Sequence, residues 1–266
     1  MSVHARFFMV YLRRRKMSTD FPGSTQKELW SEKSSLSEKY SSLVVGRKGL
    51  GKLLRFELTN LFLSGVPGAL GLALRKAFYP ALFQKVGKGV VFGRNITLRH
   101  PHKIFIGDNC VIDDNVVLDA KGERNEGLRL GDNVYVGRNT ILSCKEGSIT
   151  IGDYTNIAAN CSLLSETEIT LGRYCFLAGH CFLVAGGNHS FDDVSRPIMF
   201  QRSVSKGGIR LGDDVWLGAG VIVLDGASIG RGVVVGAGAV VTGPLPDYAV
   251  AVGSRRLLIT DRRGNK

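Results

Sequence analysis

Residues 211–246 read LGDDVW, LGAGVI, VLDGAS, IGRGVV, VGAGAV and VTGPLP, six consecutive hexads without a break. Each hexad begins with Leu, Ile or Val, most continue with Gly, and most place a small or β-branched residue fifth. Similar hexads begin upstream at positions 106, 112, 118, 130, 136, 142, 151, 157, 163, 171, 177 and 183, with phase shifts at insertions. A period of six matches neither the α-helix, at roughly 3.6 residues per turn, nor the heptad of a coiled coil.

The six-residue period predicts short strands joined by tight turns. The aliphatic residue at the first place points into the core, and Gly permits the unusual backbone angles of the turns. One such strand cannot bury its apolar side alone, but stacked coils cover one another and only the ends need caps. We therefore expect an all-β solenoid domain over residues 89–253, with N-terminal segments 1–45 and 46–88 and a C-terminal tail, 254–266.

The hexads resemble those of the hexapeptide-repeat acyltransferases, over about three-fifths of the chain. This resemblance implies a left-handed parallel β-helix, a triangular prism with three hexads per turn. It also implies a homotrimer, since prisms of this family assemble as trimers with active sites between neighbouring subunits.

The hexads stop between Val184 and Ile209, where residues 185–208 read AGGNHSFDDVSRPIMFQRSVSKGG. A long polar loop on a regular scaffold is often functional, and this loop contains His189. Imidazole suits general base catalysis because its ordinary pKa lies near the working pH. The alternative is a solvated loop histidine without a catalytic role.

The loop and the hexad Val215-Trp216-Leu217-Gly218 together resemble galactoside, maltose and xenobiotic O-acetyltransferases. The resemblance implies direct transfer of acetyl from acetyl-CoA to a sugar hydroxyl, with His189 as general base and with no acyl-enzyme and no metal. It places the CoA groove along the last coils, at Trp216, Ala219, Ala237 and Thr242. The family closes with Gly-x-Pro-Ala/Cys-Lys/Arg, whereas this chain reads Gly253-Ser254-Arg255-Arg256, so the phosphate contacts assigned to Arg255 and Arg256 rest on the basic pair alone.

Three further loop residues are candidates for acceptor binding, namely Asn188, Asp192 and Asp193. Either aspartate could orient the ring of His189 through its second nitrogen. The alternative is that both aspartates cap turns of the loop, which is the commoner role of Asp in loops.

The net charge of +12 is concentrated at one end of the chain. Residues 1–88 hold 16 Lys and Arg against 5 Asp and Glu, whereas residues 89–266 hold 19 against 18. A nucleic-acid-binding core would carry its own basic face, so we expect no nucleic-acid partner.

The five cysteines include no CxxC pair, which argues against a disulfide framework and favours a reducing, cytoplasmic compartment. The cysteines at the fifth place of a hexad are expected to fill the core rather than bind zinc, and these are Cys110, Cys161, Cys175 and Cys181. Cys144 stands at a third place, and we expect it to be exposed.

Residues 46–88 contain eight basic residues, a single acid and apolar runs of helical period broken at Ser64–Gly68. Neither half reaches the roughly 20 apolar residues of a spanning helix. The segment predicts basic amphipathic helices on an anionic membrane, a helical cap on the prism, or both. Membrane attachment would imply a peripheral position on the cytoplasmic face and a lipid-linked or surface-polysaccharide acceptor. Residues 1–45 predict a mobile lead-in, with Met17 as the expected start.

Other functions on the same scaffold remain open from the sequence. A serine-acetyltransferase-like enzyme would have a large N-terminal helical domain, and a zinc-dependent carbonic anhydrase would need three convergent histidines; neither feature is visible here. A catalytically inactive β-helix used only for assembly is the alternative outside enzymes.

Overall fold

The structure, a computed structural model, describes residues 36–47, 49–123, 125–253 and 258–261. Three parallel sheets form the faces of a triangular prism of about eight coils, and the chain visits faces 1, 2 and 3 in turn. Each strand pairs in parallel with the strand one coil further along, so a residue of one coil stacks on its equivalent in the next. The fold class predicted from the sequence, a left-handed parallel β-helix with an N-terminal helical extension, is confirmed.

The strands are short, most of them two to four residues. Face 1 contains β1 (Lys85–Val86), β4 (Ile104–Ile106), β7 (Leu128–Leu130), β10 (Ser148–Ile151), β13 (Glu168–Leu171), β18 (Ile209–Leu211) and β21 (Ser228–Ile229). Face 2 contains β2 (Val91–Phe92), β5 (Val111–Ile112), β8 (Tyr135–Val136), β11 (Asn156–Ile157), β14 (Phe176–Leu177), β19 (Trp216–Leu217), β22 (Val234–Val235), β24 (Ala249–Val252) and the antiparallel β25 (Leu258–Asp261). Face 3 contains β3 (Thr97–Arg99), β6 (Val117–Asp119), β9 (Ile141–Ser143), β12 (Ser162–Ser165), β15 (Phe182–Ala185), β20 (Ile222–Leu224) and β23 (Val240–Val241).

The first-place aliphatic residues fill the interior of the prism, as the repeat predicts. The four fifth-place cysteines are buried beside them, which confirms their role as core residues. The expectation for Cys144 is wrong, because its exposed fraction is 0%. Successive side chains of a strand point to opposite sides. Where the backbone stays extended over the first three places of a hexad, the third-place side chain therefore points into the core, as the first-place side chain does.

A helical cap covers the first coil of the prism. It consists of α1 (Leu36–Tyr40), a π-helical turn (Ser41–Val45), α2 (Leu50–Leu63), α3 (Gly68–Phe78) and a 3-10 turn (Tyr79–Leu82). The last ten residues of the predicted mobile lead-in are therefore helical here, and Val45 belongs to the buried core.

Arg75 joins the cap to the prism. It is buried and donates hydrogen bonds from Nε to the Phe92 carbonyl at 3.0 Å and from Nη1 to the carbonyls of Leu63 and Val66 at 3.1 and 2.8 Å. One guanidinium thus satisfies carbonyls at the end of α2, in the α2–α3 turn and on β2.

The corner between faces 2 and 3 carries a column of stacked left-handed residues. Its lower members are Asn95, Asn115, Asn139 and Asn160, which adopt positive φ and donate side-chain hydrogen bonds from one to the next. In two later coils the same column is glycine, at Gly220 and Gly238, where an added Cβ would meet nothing within 4 Å. The corner therefore becomes bare backbone near the C-terminal end of the prism.

Candidate active site

The active-site loop leaves the prism at the corner between faces 3 and 1. It runs from the end of β15 to the start of β18 and contains a small antiparallel hairpin, β16 (Asn188–His189) with β17 (Ser203–Val204). The hairpin pairs His189 with Ser203. The loop therefore has its own backbone pairing, which holds His189 at a defined position on the surface.

His189 is half-buried, and its Nδ1 lies 3.3 Å from the carbonyl oxygen of Gln201. A carbonyl oxygen only accepts, so this contact favours the tautomer of His189 that has its proton on Nδ1. Gln201 is itself fixed, because its buried side chain donates to the carbonyls of Asp193 and Arg196 at 2.8 and 3.1 Å. The backbone thus orients the imidazole, the device that lets one nitrogen act as a base.

A buried carboxylate clamps both ends of the loop to the prism. Asp225 is only 2% exposed and accepts hydrogen bonds from Asn188 Nδ2 at 3.2 Å, Lys206 N at 2.6 Å and Gly208 N at 2.8 Å. Asn188 stands next to His189, so the clamp also fixes the residue that carries the candidate base. Asp225 was not predicted from the sequence, although it stands at the third place of VLDGAS. That place holds a small, buried residue in the preceding coils (Ala120, Cys144, Ser165, Ala185), so an acid there is a visible signal.

The two aspartates of the loop bond to serines within the loop. Asp193 accepts from the backbone N and the Oγ of Ser195 at 2.9 and 2.6 Å, and these bonds hold the pKa of its carboxyl below the usual value. Asp192 accepts from Ser190 Oγ at 2.9 Å. Among the described residues neither carboxylate bonds to His189, so the turn-capping alternative describes their contacts.

The candidate CoA residues divide between two corners. Trp216 lies on face 2, 51% exposed, and Ala219 and Ala237 stack at the corner between faces 2 and 3, where Gly238 N donates to the Ala219 carbonyl at 2.8 Å. Thr242 follows β23 at the corner between faces 3 and 1, on the side of the loop. Arg255 and Arg256 lie outside the described residues.

The prism keeps His189 apart from Trp216 and Ala219 within one chain. The loop leaves at the corner opposite face 2, and the whole width of face 3 separates it from the corner where Ala219 lies. The spacing of residues in the sequence does not indicate this separation, because the corner at which an insertion lies depends on which face of the prism the chain has just left. In one chain, the candidate base and the candidate CoA residues Trp216 and Ala219 therefore lie at different corners of the prism.

The loop and the far corner both expose apolar side chains. In the loop Val194 is 100% and Phe191 72% exposed, and Ile198 and Met199 are also exposed. Phe176 and Trp216 on face 2, and Phe182 on face 3, form a second exposed patch. Soluble proteins rarely leave such apolar groups uncovered, and they mark surfaces that contact another molecule.

Within the described parts of the chain, no three His, Cys, Asp or Glu side chains converge as metal ligands would. The same parts contain no helix of sufficient length and apolar character to span a bilayer.

Two family models match the prism. Residues 208–243 match the model described as "Bacterial transferase hexapeptide (six repeats)", and residues 85–120 match "Hexapeptide repeat of succinyl-transferase".

Three relatives match over much of the prism. The chain is 34% identical over 166 residues to "Probable acetyltransferase Rv3034c" of Mycobacterium tuberculosis, 62% of this chain and 54% of that protein. It is 35% identical over 155 residues to "Galactoside O-acetyltransferase" of Lactococcus lactis, 56% of this chain and 58% of that protein. It is 33% identical over 158 residues to "Putative lipopolysaccharide biosynthesis O-acetyl transferase WbbJ" of Escherichia coli, 59% of this chain and 70% of that protein. The chain thus spans little more than half the length of the first two.

Proposed function

The chain belongs to the hexapeptide-repeat acyltransferases, and on that premise we propose that it transfers an acetyl group from acetyl-CoA to a hydroxyl of a sugar. The names of the lactococcal and Escherichia coli relatives support an O-acetyltransferase acting on a saccharide. The observation that carries the proposal is the orientation of the His189 imidazole, whose Nδ1 lies 3.3 Å from the Gln201 carbonyl oxygen, so Nε2 is the nitrogen that we propose as the base.

In the proposed step, Nε2 of His189 takes the proton of the acceptor hydroxyl. The hydroxyl oxygen then forms a bond to the carbonyl carbon of the thioester, the bond from that carbon to sulfur breaks, and the imidazolium returns the proton to the departing sulfur. Atoms and charges balance without an acyl-enzyme. An imidazole can take up the proton in the first half of this transfer and return it in the second.

The groove at the corner between faces 2 and 3 supports binding of CoA. Ala219 and Ala237 alternate there with Gly220 and Gly238, so the backbone is open to close approach by a narrow pantetheine arm. The exposed indole of Trp216 offers an apolar surface beside it. The residues present fit the co-substrate at this corner.

We propose a homotrimer in which the loop of one copy lies against face 2 and the adjoining corner of the next. The two exposed apolar patches support this contact, since each would cover the other. They are different surfaces on one chain, so the contact is heterologous, and a rotation of about 120° between neighbouring copies would close it into a ring of three. His189 would then face the groove of the neighbouring copy.

The helical cap supports an acceptor held at a membrane. The outer side of α2 carries exposed apolar residues at helical spacing, namely Leu50, Leu54, Leu58, Leu61 and Phe62. Residues 46–88 around it hold eight basic residues and one acid. An apolar stripe within a basic segment suits the surface of an anionic leaflet. We therefore propose a lipid-linked or surface-polysaccharide precursor as acceptor, with the protein peripheral on the cytoplasmic face.

The proposed activity is tested by following CoA release from acetyl-CoA with a panel of sugar acceptors, with mass spectrometry of the products. His189→Ala should lower kcat by about 10²- to 10⁴-fold and leave KM for acetyl-CoA unchanged. His102→Gln, at the opposite end of the prism, is the histidine control and should keep full activity. Undiminished turnover in His189→Ala would exclude the imidazole as the base.

A further inference from the structure

A cavity of about 520 Å³ lies in the helical cap, far from the active-site loop. It is bounded by the start of α2, by the loop that precedes it, and by the short 3-10 turns at Tyr79–Leu82 and Pro101–Lys103. One wall is apolar and includes Phe56 and Leu82. The other wall carries Arg47, Lys52, Arg55 and the ring of His102.

The basic wall lacks a counter-ion among the described residues. No carboxylate lines the cavity, and none forms an ion pair with Arg47, Lys52 or Arg55 in the part of the chain that the structure describes. Arg47 donates instead to a neutral partner, Gln84 Oε1, at 3.2 Å. Three like charges gathered around one cavity repel one another and favour an anion between them.

The start of α2 and the ring of His102 line the same space. Gly49 and Gly51 line the cavity at the start of α2, a helix of 14 residues with no side-chain cap, so its positive end faces the cavity. Among the described residues, the buried Nδ1 of His102 has no hydrogen-bond partner. Burial, with the nearby charge of Arg47, lowers the pKa of His102 to about 4, so the ring is neutral and adds no fourth positive charge to the cavity.

We propose that this cavity binds a phosphate group, and that its apolar wall takes the hydrocarbon part of an amphiphilic phosphate. Arg55 lies on α2 beside the exposed apolar stripe of that helix, three residues before Leu58. A phosphate at the level of a lipid headgroup would therefore enter from the side on which the stripe meets the membrane. The phosphate chemistry is shared by lipid headgroups and by soluble phosphates, and the two sources are separated by experiment. This site is independent of acetyl transfer.

Binding is measured by calorimetry on the full chain with short-chain phosphatidic acid and, separately, with inorganic phosphate and pyrophosphate. Lys52→Gln/Arg55→Gln removes two cavity charges. The matched control is Lys76→Gln/Lys85→Gln, which removes two charges from the same basic segment outside the cavity. We expect the cavity variant to weaken phosphatidic acid binding by about tenfold or more and the control to weaken it less than about twofold.

A charge-neutral variant, Ala81→Trp, places a large side chain at an exposed position on the cavity wall and should also block binding. Inorganic phosphate that binds as tightly as phosphatidic acid, with the same loss in the cavity variant, would support the site and assign it a soluble ligand. Equal losses in the two double variants would indicate diffuse electrostatic attraction and overturn the proposal, as would the absence of binding by every phosphate compound. Acetyl transfer to a soluble sugar should be unchanged in all these variants, so failure here leaves the proposed activity intact.

Discussion

Replacing Asp225 by Asn should release the active-site loop without unfolding the prism. Its Oδ2 accepts from Asn188 Nδ2 and Lys206 N, and its Oδ1 accepts from Gly208 N. In Asp225→Asn one of these oxygens becomes an NH₂ group that faces a donor. The less costly orientation gives up the single bond to Gly208 and keeps the two bonds to the remaining oxygen.

The loss is at least one hydrogen bond to a buried charge, about 1.5–3 kcal/mol. Since about 1.4 kcal/mol corresponds to a factor of ten, the equilibrium for opening the loop should rise by about 10- to 100-fold. Hydrogen exchange followed by mass spectrometry measures this opening directly, in peptides that cover residues 185–208.

The matched control is Asp213→Asn, at the corner between faces 1 and 2. Asp213 also accepts a backbone bond, from Arg173 N at 2.7 Å, but it is away from the loop. Its substitution should leave exchange in residues 185–208 unchanged. Unaltered exchange in Asp225→Asn, or an equal increase in both variants, would refute the clamp.

Three further predictions concern the cap and the core. Arg75→Met leaves three carbonyls, one buried and two partly buried, without their donor and should lower the free energy of unfolding by about 3 kcal/mol in urea titrations. Lys76→Met, exposed on the same helix, should change it little; equal effects would contradict the role of Arg75. Burial lowers the pKa of His102 to about 4 in the folded chain, from about 6.5 in the unfolded chain. As the pH falls, the unfolded chain binds this proton first, so the free energy of unfolding should decrease between about pH 6.5 and pH 4. The decrease should be smaller in His102→Gln, and identical pH profiles of the two proteins would contradict this prediction. All five cysteines are buried, and burial raises the pKa of Cys144 to about 12, so no thiol of the native chain should react quickly with Ellman's reagent; one fast thiol would contradict the burial.

The prism could be predicted from the sequence because its determinants are local. A hexad carries its own inward aliphatic residue and its own turn, and stacking repeats the same contact in every coil. Cys144 is an exception to the prediction of inward and outward places, because the hexad does not indicate how many residues stay extended before the chain turns a corner. The alternation of side chains along that extension turns the third place inward.

The candidate site was predictable only in part. The interruption of the repeat identified the loop and His189, but the partners of Asp225 are 17 to 37 residues away in sequence and meet it only through the coil geometry. The backbone carbonyl of Gln201 that orients His189 has no side-chain signature at all. Likewise, the separation of Trp216 from the loop follows from the corner at which each lies, which spacing does not specify.

We expect His189 of one copy to act at the groove of the next, and subunit complementation distinguishes this arrangement from a site within one chain. His189→Ala removes the base, Ala219→Trp blocks the exposed groove corner, and each variant alone should be inactive. In trimers assembled from equal amounts of both, about one quarter of the sites should combine an intact loop with an intact neighbouring groove, and the mixture should show about that fraction of wild-type acetyl transfer. A mixture as inactive as its two components would contradict a site shared between neighbouring copies.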